Sequence, residues 1–173
     1  MTAPDVLAFA DRKTEGAYTV TEPSGSVVAL IRVNGWTGRS FEATRPDGVP
    51  LCSGRSRGVF STWWDARDPA DRPLASLKAS FTGTRKQVHL PDERVLVIEG
   101  RWLTRDWALR DESGAAILSS EPSTSAWSFR PDAWVVRSHD ASLGVDAVVG
   151  IVELNRLMVK AARSASSGAS GTT

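Results

Sequence analysis

The stretch Ser142 to Ala162, SLGVDAVVGIVELNRLMVKAA, is the only long helical pattern in a chain that otherwise reads as β-strands. Eleven apolar residues between Leu143 and Val159 cover most of its circumference at about 3.6 residues per turn. The polar-stripe positions Asp146, Gly150, Glu153, Arg156 and Lys160 are spaced by four, three, three and four, so they share one narrow face. The spacing predicts a Glu153–Arg156 pair and an N-terminal cap from Asp140 or Ser142. Asn155 falls on the apolar face, where it needs hydrogen-bond partners. A helix apolar nearly all round is buried in protein or in lipid. A lipid span takes about 18–20 uninterrupted apolar residues. Here Asp146, Glu153, Asn155, Arg156 and Lys160 interrupt the run, and each ion at mid-bilayer costs roughly 3 kcal/mol. The expectation is a core helix enclosed by a sheet, with no transmembrane segment.

The rest of the chain repeats an aromatic, a few alternating residues, a turn and an apolar run. Tyr18, Phe41 and Trp107 each precede a glycine (Gly25, Gly48, Gly114) by seven residues. The turns Pro-Ser-Gly, Pro-Asp-Gly and Glu-Ser-Gly suit tight reversals between half-buried strands. Three more segments read as hairpins with different turns: 60–67 with 74–81, 86–90 with 95–99, and 125–130 with 134–138. Six hairpins make about twelve strands, at the turn spacing of an all-β barrel or sandwich. A barrel that wide is not filled by side chains alone, and the apolar helix is the only segment able to fill it. The expected fold is therefore mainly β: an antiparallel closed barrel around one buried C-terminal helix. Residues 1–13 read as a lead-in helix or loop, 14–163 as the barrel with its helix at 142–162, and 164–173 as a small, polar, disordered tail.

Composition narrows the function classes. A net charge of +1 supplies no global field for nucleic acid. A single cysteine, Cys52, excludes an intrachain disulfide and a cysteine-based metal site. The N-terminus has no basic segment followed by a long apolar run, so the default location is cytoplasmic. The excess of arginine over lysine is a bias of GC-rich bacterial genes.

The stretch Val97 to Met158 resembles the C-terminal half of LURP-one-related proteins. The resemblance rests on Ile98, Gly100, Trp102, Leu103, Asp106 and Trp107 in one strand pair, on Asp111, Gly114, Ile117 and Leu118 in the next hairpin, on Trp134 and Val136, and on the apolar C-terminal helix. It implies the tubby C-terminal-like fold shared with phospholipid scramblase-like proteins, a twelve-stranded barrel enclosing a hydrophobic helix. It implies little about activity. Tubby domains bind phosphoinositide headgroups through basic side chains, and scramblase-like proteins act at membranes. No matching basic motif stands in this chain, so no functional residue carries over.

Few residues promise chemistry. His139, Asp140 and Ser142 contain the types of a catalytic triad, and His89 is the other histidine, but no nucleophile-elbow pattern appears and nothing clusters at metal-ligand spacing. Cys52 reads as a small core hydrophobe more readily than as a redox thiol. Trp63 and Trp64 must point to opposite faces of a regular strand, so one is outside. Arg55, Arg57, Arg85 and Lys86 stand at loop or strand-end positions, and with Trp64 as the exposed anchor they compose a candidate site for an anion or lipid headgroup. The reading is a non-enzymatic barrel without cofactor or metal. It binds an anionic lipid or a protein partner at the periphery of a membrane. The alternative is a scaffold domain presenting loops to another protein, and an enzyme is the least favoured.

Overall fold

The structure, a computed structural model, describes residues 5–10, 17–34, 39–58, 62–80, 86–101, 106–122 and 133–168. Its strands are β1 (Val6–Ala10), β2 (Tyr18–Thr21), β3 (Val27–Asn34), β4 (Ser40–Thr44), β5 (Pro50–Ser56), β6 (Trp63–Arg67), β7 (Pro73–Ala79), β8 (Lys86–His89), β9 (Val95–Arg101), β10 (Asp106–Arg110), β11 (Ala116–Pro122) and β12 (Ala133–Ser138). One helix, α1 (Val145–Gly168), follows. Each strand pairs antiparallel with its sequence neighbours, and β1 pairs with β12 to close the barrel. Closure leaves no free sheet edge among the described strands.

The lead-in expected at 1–13 is thus partly wrong: Val6–Ala10 is the closing strand. Leu7 and Phe9 are buried while Val6, Ala8 and Ala10 are less so, and this alternation in five residues is too short to separate from a helix turn by pattern alone. The strand expected at 125–130 lies outside the described residues.

The five described hairpins 18–34, 40–56, 63–79, 86–101 and 106–122 use one turn. In each, the residue before the turn donates its N–H four residues ahead and accepts an N–H from three residues ahead, as in Glu22 N to Ser26 O with Gly25 N to Glu22 O. The same pair of bonds recurs at Arg45, Asp68, Leu90 and Asp111. The turns at 68–73 and 91–93, expected to differ, therefore do not. The left-handed position is held by Gly25, Gly48 and Gly114 in three of them and by Asp71 (φ 62°) and Glu93 (φ 68°) in the others. Only the residue type differs, which hid the common geometry.

Inside the barrel α1 lies against one wall. Its backbone approaches β5, β6 and β7, where inward positions are mostly small: Cys52, Gly54, Ala66, Ala75 and Ala79. A Cβ on Gly54 would sit 2.9 Å from Leu154 Cδ2 and closer still to the Phe41 ring, so this position requires glycine to admit the helix. Elsewhere around the barrel the interior holds Phe9, Trp107 and Trp134, packed ring on ring with centroids 5.2 Å apart for Phe9–Trp134 and 6.2 Å for Trp107–Trp134. The helix is off-centre, and large aromatics fill the wider gap.

The helix begins at Val145 because the Gly144 carbonyl accepts the Val148 N–H. Neither Asp140 nor Ser142 caps it. Asp140 instead accepts the Ser142 N–H and the Arg94 guanidinium, at 2.8 and 2.6 Å, which latches the helix start to the β8–β9 turn. The hydrogen bonds from Ser142 and Arg94 hold the Asp140 carboxyl down at about 2. The helix runs on to Gly168, so residues 164–168, expected in the loose tail, are helical. Ala and Ser extend a helix that burial has already nucleated; residues 169–173 lie outside the described residues.

The shared turn makes a paired test. Glu93→Gly relieves a left-handed side chain and raises stability by about 0.5–1 kcal/mol, while Gly114→Ala lowers it by about 1 kcal/mol. Urea denaturation of both variants measures the two shifts, and equal effects of the same sign would refute the common geometry.

Candidate functional site

On β6 the side chains of Trp63, Asp65 and Arg67 point outward, and those of Trp64 and Ala66 inward. Trp64 is 3% exposed and belongs to the core. The expected role of Trp64 as an exposed anchor is therefore overturned, and Trp63 takes the outer position. Neighbouring strands put a defined set beside it: Trp63 is register partner to Lys78, Asp65 to both Arg55 and Ser76, and Ser76 to His89.

Three groups flank the indole. The Arg57 guanidinium lies 4.6 Å and the Lys78 ammonium 4.8 Å from the ring centroid. The His89 ring stacks at 5.6 Å with an interplanar angle of 23°. Arg57 is fixed by two parallel bonds to Asp65, of 2.6 and 2.9 Å, and Asp65 also accepts the Ser76 hydroxyl at 2.6 Å. Burial opposes ionisation of Asp65, yet the bonds from Arg57 and Ser76 outweigh it and hold the carboxyl below its ordinary range. Arg57 is correspondingly raised, first by its hydrogen bond to Asp65. Lys78 and Arg55 carry no carboxylate partner among the described residues. Arg55 borders a depression of about 320 Å³, with Ser40, Ser53, Asp65 and Arg67 around it. The wall thus presents one aromatic face, one neutralised cation and two uncommitted ones.

Of the residues expected to form the site, Arg55 and Arg57 are here. Arg85 lies outside the described residues. Lys86 is not on this surface: it points inward on β8, beside Ala79 of β7 and Ile98 of β9, and donates to Asn155 Oδ1 at 2.9 Å. Burial pushes its amine down to about 8. Lys78 and His89 were missed. The signal for them was the inward phase of Leu77 and Val88, which sends their sequence neighbours outward.

The middle of the helix's polar stripe is buried, while Lys160 at its far end is exposed. Glu153 is 1% exposed and pairs with Arg156 at 2.6 Å, and the Arg156 guanidinium stacks on the Tyr18 ring at 3.7 Å. Burial raises the Glu153 carboxyl, against the pull of Arg156. Cys52 is buried, and desolvation followed by the charges of Asp146 and Glu153 drives its thiol far above the ordinary range. The thiolate, which is the reactive form, is thereby suppressed. His139 bonds Ser119 at 2.9 Å, while Asp140 faces Arg94, so the sequence neighbours His139, Asp140 and Ser142 do not converge as a triad. Among the described residues no three His, Cys, Asp or Glu side chains cluster to hold a metal ion, and no helix is long and apolar enough to cross a membrane.

The class defined by this geometry is a closed twelve-stranded antiparallel barrel around a C-terminal helix. No family model and no curated protein matches the chain. Among solved structures, the X-ray structure of a protein from Arabidopsis thaliana, AT5G01750, is similar with a TM-score of 0.62, covering 90% of this chain and 93% of that one at 17% identity. At that identity the likeness is one of fold.

Two titrations check the interior. Native Cys52 resists a thiol reagent that labels it rapidly after denaturation; labelling at equal rates would refute its burial. The Lys86 amine loses its proton near pH 8 when folded and near 10.5 when unfolded, so between these values the unfolded state holds more protons and rising pH favours folding. Measured against Lys86→Met, the wild type gains stability across that window, by about 3 kcal/mol at most.

Proposed function

We propose that the chain is a LURP-one-related member of the tubby C-terminal-like barrels and acts as a non-enzymatic binding module for phosphate-bearing lipid headgroups at a cytoplasmic membrane surface. The family reading is supported by the closed twelve-stranded barrel, by its enclosed helix and by the fold likeness to the Arabidopsis protein. The motif positions Ile98, Gly100 and Trp107 also have physical roles. Gly100 has φ 100°, and a Cβ there would press within 2.8 Å of the Trp107 backbone. That glycine therefore permits the β9–β10 pairing that turns Trp107 into the core. Trp102 and Leu103 lie outside the described residues.

The observation that carries the binding reading is Arg57 and Lys78 flanking Trp63 on the outer wall, with Arg55 uncommitted beside them. An amphipathic indole suits the interfacial layer of a bilayer, and basic residues next to it meet anionic headgroups. The scaffold reading has one observation of its own. A groove of about 460 Å³ between the β8–β9 and β10–β11 turns is lined by Val95 and Leu96 and by Asp92, Glu93, Asp111 and Glu112; Arg94 pairs with Asp92 there, and the remaining acidic excess suits a basic protein segment.

Co-sedimentation with vesicles separates the two. The chain binds vesicles containing phosphatidylserine or a phosphoinositide, ignores neutral ones, and releases as salt rises. Arg55→Ala and Lys78→Ala each weaken binding about fivefold, and Trp63→Ala weakens it at every salt concentration. No binding to any anionic vesicle sinks the headgroup reading and leaves the acidic groove to be tested with basic peptides.

A further inference from the structure

Among the described residues, Lys86 and Asn155 bring two donor groups together in the barrel interior with one acceptor between them. Lys86 opens β8 at the end of the barrel opposite the five tight turns, with part of its surface exposed. Its ammonium donates to Asn155 Oδ1 at 2.9 Å, and no carboxylate of the described residues pairs with it. Asn155 is 0% exposed, and its Nδ2 has no hydrogen-bond partner among the described residues. The amide orientation follows from the lysine, since an ammonium requires the oxygen. Buried amide donors are nearly always satisfied, and buried ammonium groups are nearly always paired with a negative charge. Asn155 is such an exception, the half-buried Lys86 stands beside it, and an acceptor bearing negative charge serves both.

The helix does not supply it. Glu153 is committed to Arg156, which stacks on Tyr18. The other ionisable group on this part of α1 is Lys160, and the cross-strand neighbours of Lys86, Ala79 and Ile98, have none. Among the described residues the surroundings are otherwise apolar: Val88 follows on the same face of β8, and Ile151, Val152 and Met158 stand at helical spacing from Asn155, all buried. One positive charge in an apolar setting suits a monoanion with two oxygens better than a phosphate dianion.

We propose that Lys86 and Asn155 form an interior subsite for the carboxylate of an organic acid. One oxygen accepts from Lys86 Nζ and the other from Asn155 Nδ2. Burial depresses the amine to about 8, and a carboxylate bound beside it raises it again. This subsite is independent of the outer wall around Trp63.

The test uses the full chain at constant ionic strength, with sodium acetate, sodium octanoate and inorganic phosphate titrated against a chloride control. Thermal unfolding and calorimetry read binding, and NMR reads the Asn155 side-chain amide in the wild type, where no variant has to fold. Both carboxylates raise the melting temperature saturably and shift the Asn155 amide. Their affinity falls by up to tenfold per pH unit above 8 as the amine loses its proton. Lys86→Met weakens binding tenfold or more, whereas Arg55→Ala and Lys78→Ala leave it unchanged. The proposal is overturned if carboxylates do no more than chloride, if phosphate binds more tightly than they do, if Lys86→Met responds like the wild type, or if the Asn155 amide does not move.

Discussion

Burial of α1 inside a closed sheet is the constraint on which everything else depends. Twelve strands enclose more space than their own side chains occupy, and a helix apolar nearly all round has nowhere else to go. Each element makes the other possible, which couples the C-terminal quarter of the chain to strands throughout the sequence. The Arg94–Asp140 contact joins residues 46 positions apart at the point where the helix enters the barrel, and Lys86–Asn155 spans 69 positions within it.

The same constraint sorts the polar residues. Groups carried inside by the helix must find partners there or remain unpaired. Glu153 and Arg156 solve this between themselves, at the expected spacing, with Tyr18 covering the guanidinium. Asn155 receives half of what it needs. On the outside no such pressure exists, and the cations there are held by local geometry instead: the Arg57–Asp65 fork aims one guanidinium at the indole, while Lys78 lies across from Trp63 by register alone. The outer patch and the inner pair therefore answer to different physics, screened surface charge in one and desolvation in the other.

Much of the site was within reach of pattern reasoning, and the misplacements show where that reasoning stopped. Asp65 and Arg67 share the phase of Trp63, so the outward tryptophan was readable from its own strand. Val88 and Leu90 set the inward phase of β8, which Lys86 shares two residues earlier. Lys86 was obscured because a basic residue near a turn resembles a solvated one, and only a continuous alternation across the turn distinguishes the two. Asp71 and Glu93 hid two of the five common turns for a related reason: side-chain type is a weak guide to a backbone angle that any residue can adopt at a cost of about 1–2 kcal/mol.

What the sequence determined by itself is local or periodic: the enclosed helix, the hairpin series with its left-handed glycines, the near count of strands, and the Glu153–Arg156 pair. These follow from spacings of two, three, four and seven residues, which need no knowledge of the far end of the chain. The tertiary structure alone decided the rest. Val6–Ala10 is a strand because β12 and β2 flank it. Gly54 is required because Leu154 arrives there, and Lys86 meets Asn155 because closure sets β8 over that turn of the helix. Such contacts depend on where the barrel closes and on which wall the helix leans against, and both are settled by packing volume summed over the whole interior rather than by any one segment.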